Sequence, residues 1–129
     1  EYMHVLVHFM AGGNVPVWLN EGLAEIAGRR IISTSLADLP AAVESGQLLD
    51  WQTLASPFYG LADTRIPLAY EQSYSLASFM VESYGWHNMI ELLKSLGKRQ
   101  EWTVAVADVY REYGLDWPAI QDEWQAGID

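Results

Sequence analysis

The chain contains no cysteine, which excludes disulfides, thiolate metal sites and cysteine nucleophiles and leaves the redox compartment undecided. Bases are scarce. Seven Lys and Arg stand against 17 Asp and Glu, a formal net charge of −10 at pH 7 with His neutral. A surface of that sign repels phosphate backbones and anionic lipid, so no nucleic-acid partner is expected. No stretch approaches the apolar length that crosses a bilayer, and no signal-like segment is present. The 10 glycines and 5 prolines follow no period, which excludes collagen-like and low-complexity structure. What is abundant is apolar and aromatic: 50% and 12% of 129 residues. That content excludes disorder, and a chain of this length buries roughly two-thirds of its unfolded surface. It reads as one domain over residues 1–129 that needs no staple to fold.

The periodicity is helical almost throughout. Tyr2, Val5, Leu6, Phe9 and Met10 share one helical repeat, stopped by Gly12-Gly13-Asn14. Pro16 opens a second helix carrying Trp18, Leu19, Leu23 and Ile26 to about Arg30. Residues 31–66 are ambiguous. Pro40 to Gly46 suggests a short helix, Asp50 could cap a turn through Leu54, and residues 56–67 read as loop. Further helices are expected over Leu68–Tyr84, Trp86–Leu96, Glu101–Tyr113 and from an Asp116 cap onward. No strand pair is apparent, so the expectation is an all-α fold of about six to seven helices. Trp51, Trp86, Trp102, Trp117 and Trp124 read as core, with Trp18 packed behind the first helix. The tail from Glu101 to Asp129 holds seven acids and one base, a solvated acidic surface.

Two segments carry chemistry: Glu1-Tyr2-Met3-His4, and Trp18-Leu19-Asn20-Glu21-Gly22-Leu23-Ala24-Glu25. Helices joined by a short connection are usually neighbours, so His4 and Glu21 could share a metal or a hydrogen bond. Glu1 lies on the His4 face, three residues earlier. These segments resemble the gluzincin metallopeptidases, whose zinc site is His-Glu-x-x-His on one helix and a Glu on the next. The later order, Ala69-Tyr70-x-x-Ser73, Tyr84-Gly85 and a closing helix with Trp124, is similar to the helical half of bacterial peptidase MA-like domains.

The resemblance implies a zinc-dependent peptidase acting on a peptide or protein. In it Glu1 matches the general base, His4 and Glu21 are zinc ligands, and Glu25 is a carboxylate that orients a ligand imidazole. Two imidazoles four residues apart grip one ion, and the Glu beside the first reaches the attacking water. Tyr70 fits the donor that stabilises the tetrahedral oxyanion, with Tyr74 the other candidate on the same face. The first His of the motif would immediately precede Glu1. The chain starts inside an apolar helix, so we expect it to be a piece cut within the motif. Such a piece is expected to bind zinc weakly and to show no proteolysis alone. It would self-associate or contact its upstream subdomain through Tyr2, Met3, Leu6 or Phe9.

The other reading is a non-catalytic helical module that kept the scaffold. His8 reads as a packing residue because Val5, not an acid, follows His4; His87 reads as an exposed helix start; Glu25 could instead pair with Arg29. No serine elbow surrounds Ser73, Ser75 or Ser78. Relatives of this type are often exported, which favours an extracytoplasmic or envelope location.

Overall fold

Capping side chains and glycines set most of the helix boundaries in the computed structural model, which describes residues 2–28 and 38–128. Helix α1 (Tyr2–Ala11) ends where Gly12 and Gly13 take φ of 62° and 83°, values that residues with a Cβ rarely adopt. Helix α2 (Val17–Gly28) follows Pro16; Arg29 and Arg30, the expected end of this helix, lie outside the described residues. Helix α3 (Asp38–Ser45) and the single turn α4 (Trp51–Leu54) come next. Asp50 caps α4 by accepting from the Thr53 N–H at 3.2 Å. Residues 56–67, read as loop, contain two 3-10 turns, Phe58–Gly60 and Asp63–Arg65.

Helix α5 (Ile66–Tyr84) begins two residues earlier than the periodicity suggests, because Pro67 is tolerated in a first turn. Helix α6 spans Trp86–Gly97 and α7 spans Trp102–Val109. The expected helix to Tyr113 is therefore shorter. Its last turn tightens into a 3-10 turn, Arg111–Tyr113, with the Gly114 N–H bonding the Arg111 carbonyl at 2.9 Å. Helix α8 (Trp117–Ala126) starts at Asp116, whose Oδ1 accepts from the Ala119 N–H at 3.0 Å. The fold is all-α: eight helices and no strand among the described residues. The count exceeds the expected six to seven because both short segments before residue 55 are helical.

Trp18 organises the core. It is fully buried, with ring centroids 5.2 Å from Trp51, 5.7 Å from Trp102 and 5.4 Å from Trp117. Trp124 joins through Trp51 at 5.5 Å. Trp86 departs from the expectation. It opens α6 at 43% exposure, because the helix turns Met89, Leu92 and Leu93 inward instead. On α1, Val5 and Phe9 are exposed and Leu6 partly so, whereas Met3 packs against the core and leaves the expected apolar patch.

Two close approaches fix the frame around α1 and α2. A Cβ on Gly22 would lie 2.5 Å from the Ser73 carbonyl oxygen and 2.8 Å from the Ala77 Cβ, so α2 meets α5 backbone to backbone there. At the other end, the Asn14 side-chain amide donates to the carbonyls of Leu96 (3.0 Å) and Gln100 (2.7 Å), tying the α1–α2 turn to the end of α6. Removing both bonds takes the Asn14 donor from the Gln100 carbonyl and leaves the Leu96 carbonyl to the Arg99 N–H, at 3.0 Å. Asn14→Ala is expected to lower stability by about 2 kcal/mol. Urea unfolding reads this directly, and a loss below about 0.5 kcal/mol would mean the clamp is incidental.

Candidate metal centre

His4 projects from α1 and Glu21 from α2, one residue before the glycine that seats α2 on α5. Their side chains are 30% and 25% exposed, and His4 Nε2 stands 3.9 Å from Glu21 Oε1. The other ring nitrogen, Nδ1, is 2.9 Å from Asn20 Oδ1. An amide oxygen only accepts, so Nδ1 carries the hydrogen; in the neutral form of the ring this leaves the lone pair on Nε2, on the side of the carboxylate. At 3.9 Å the two atoms share no hydrogen bond. Two lone-pair donors face each other across a gap that a cation fits. A metal bonding imidazole and carboxylate at about 2.0–2.2 Å each holds the two atoms about 3.4 Å apart at a tetrahedral angle, so a closing movement of about half an ångström would bring this pair onto one ion. On that chemistry the residues present suit a zinc-like ion.

Asn20 is the member the sequence reading missed. Asn is a poor residue inside a helix because its side chain competes for backbone partners. Its position next to Glu21 was the available signal that it serves another group.

The remaining candidates are distributed as follows. Glu1 lies outside the described residues. Glu25 is buried at 6% exposure, one turn beyond Glu21 on α2, and its alternative partner Arg29 also lies outside the described residues. Tyr70 is half-buried with its ring edge-on to Phe58, centroids 5.2 Å apart. Tyr74 lines a cavity of about 310 Å³ with Phe79, Trp124 and Ile128, between α5 and α8. His87 is exposed, in line with its reading as a helix start, whereas His8, read as a packing residue, is exposed too. Among the described residues no three His, Asp or Glu side chains converge, so the pair His4 and Glu21 is what the fold assembles.

A family model of the peptidase MA superfamily matches residues 1–129. The chain belongs to the peptidase MA superfamily. No curated protein and no solved structure matches it. Membership points to a metallopeptidase-like role with peptides as substrates. No helix among the described residues of this superfamily member is long and apolar enough to cross a membrane.

Proposed function

We propose that the chain is the helical part of a zinc-dependent peptidase of the gluzincin type. The observation that carries this reading is the His4 Nε2 to Glu21 Oε1 approach of 3.9 Å, with Nδ1 held by Asn20. His4 and Glu21 would hold the zinc, and a His immediately ahead of Glu1 would be the third protein donor. Zinc, when bound, supplies a Lewis acid that acidifies a coordinated water. Glu1 takes the proton from the attacking water and returns it to the leaving amine. Glu25 fixes the tautomer of an imidazole ligand, as Asn20 does for His4. Tyr70 donates a hydrogen bond to the oxyanion as charge develops there.

Asn20 gives this reading a specific test. Asn20→Ala leaves both proposed ligands in place but frees the His4 ring to rotate and exchange tautomers. Loss of such an outer hydrogen bond typically costs 10–100-fold in metal affinity. Chelator competition on the variant is expected to fall in that range, with the helical content unchanged. Equal affinity in the two proteins would remove Asn20 from the site.

A second reading has its own support: two converging ligand-type side chains are fewer than the three a catalytic zinc site uses. In that reading the chain is a helical binding module on a peptidase scaffold. A third donor ahead of Glu1 favours the enzyme, and any non-ligating residue there favours the module.

A further inference from the structure

The structure holds a second carboxylate pair, away from His4 and Glu21. Glu71 on α5 is 5% exposed, and its Oε1 is buried without a hydrogen-bond partner. It faces the first turn of α3. The backbone N–H groups of Asp38 and Leu39 donate to the Glu71 carboxyl, and the Asp38 side chain shares a hydrogen bond with it. Two carboxyl groups can share such a bond only when one of them carries a proton. Burial of Glu71 first, and the neighbouring Asp38 charge second, push its pKa from the ordinary 4.5 up to about 7. The N–H donors of α3 pull the other way and are outweighed.

Among the described residues, the elements packed against α5 offer no cation that acts on Glu71. Helix α2 brings Glu21 and Glu25, but it meets α5 at Ser73 and Ala77, about 200° around the helix from Glu71. Helix α6 carries His87, Glu91 and Lys94, and Lys94 is paired with Glu91 at 3.5 Å. The 63–65 turn brings Asp63 and Arg65, and the Arg65 guanidinium donates to the Gln47 carbonyl at 2.9 Å. The 58–60 turn adds the exposed Tyr59. Among the described residues Asp38 is the charged side chain that acts on Glu71. Helix α3 itself is short, eight residues, and only Leu39 and Ala42 seat it in the core. An element with so little apolar burial sits at the low-stability end of a fold and opens locally.

We propose that α3 is a pH-gated strap on α5, held down by the proton that Glu71 and Asp38 share and released as that proton leaves. When α3 lifts, Glu71 reaches water and recovers an ordinary acidity. Between pH 4.5 and about 7 the docked state therefore binds one more proton than the lifted state. Docking is strongest below that window, weakens by about tenfold for each unit of pH across it, and levels off above it. The gate therefore couples a rise in pH from mildly acidic to neutral to the release of α3, the first described element after α2.

Amide hydrogen exchange on the 129-residue chain, corrected for the intrinsic rate at each pH, tests this. From pH 5 to pH 7, protection of the α3 amides is expected to fall by about two orders of magnitude in the wild type, while α6 amides hold steady. Glu71→Gln keeps the acceptor oxygen, cannot ionise, and is expected to give flat α3 protection. Asp38→Asn changes an exposed residue, which spares the fold, and is expected to make the slope shallower without abolishing it, because the burial of Glu71 remains. Wild-type α3 protection constant within twofold overturns the proposal, as does a fall that α6 shares or one that survives in both variants.

Discussion

If the proposed gluzincin site is right, Glu21→Ala is expected to strip zinc from the protein and abolish turnover, whereas Glu1→Gln is expected to keep the zinc and lose only turnover. The difference follows from the separate roles of the two carboxylates. Glu21 stands across from His4 Nε2, the face a shared ion would occupy. The role proposed for Glu1 rests on the motif, in which the Glu beside the first His reaches the attacking water and not the metal. Removing Glu21 takes one of three donors, and zinc sites rarely survive on two. Replacing Glu1 by its amide removes the proton acceptor alone, which lowers kcat by about three orders of magnitude. Metal content per chain, measured beside hydrolysis of a generic protein substrate, separates the outcomes. Zinc retained in Glu21→Ala and lost in Glu1→Gln would reverse the roles and remove the gluzincin reading.

Gly22→Ala is expected to be one of the two most damaging glycine-to-alanine changes among the described residues, beside Gly97→Ala, whose Cβ would lie 2.4 Å from the Met10 carbonyl oxygen. A Cβ on Gly22 would press to 2.5 Å on the Ser73 carbonyl oxygen, a backbone atom of α5 that cannot swing aside, and to 2.8 Å on Ala77. Relief requires α2 to move off α5, and the fully buried Ala69, Leu76 and Ala77 of that helix then lose contact. Overpacking against backbone costs about 3 kcal/mol, near the upper end of such changes. For a domain of this size that lowers Tm by about 10 °C. Gly60→Ala is the control, since nothing lies within 4 Å of a Cβ there and its stability should be unchanged. The site feels the same shift, because Glu21 is the preceding residue. A Gly22→Ala protein with wild-type Tm would show that the two helices do not meet as described.

Most helix boundaries were legible because each depends on a local signal. Asp50 and Asp116 cap their helices with the side-chain oxygen that a sequence reading assigns them. Gly12 and Gly46 fall one residue past α1 and α3, both at positive φ. The misses have tertiary causes. Trp86 looked like core by composition, yet the strong amphipathic face of α6 is made by Met89, Leu92, Leu93 and Leu96, which leaves Trp86 outside it. The helix through Tyr110 tightened early while burying the ring completely, and no local pattern announces that. At the site, His4 and Glu21 were legible from spacing and resemblance. Asn20 was not, because its role appears only when α1 and α2 are set against each other. Gln72 was missed in the same way. It is fully buried on α5, and its amide bonds both the N–H (3.0 Å) and the C=O (2.8 Å) of Leu49, a long-range latch with no sequence signature.

The measurement closest to the central claim is nitrogen-15 NMR of the three imidazole rings during zinc titration of the 129-residue chain. Binding weaker than micromolar is expected with two donors, so the titration runs at millimolar protein and metal. The account predicts that His4 Nε2 shifts and saturates, that Nδ1 keeps its hydrogen bonded to Asn20, and that Glu21→Ala abolishes the change. The exposed His8 and His87 should move little. A zinc response centred on His8 or His87, or a His4 response that persists in Glu21→Ala, would contradict it.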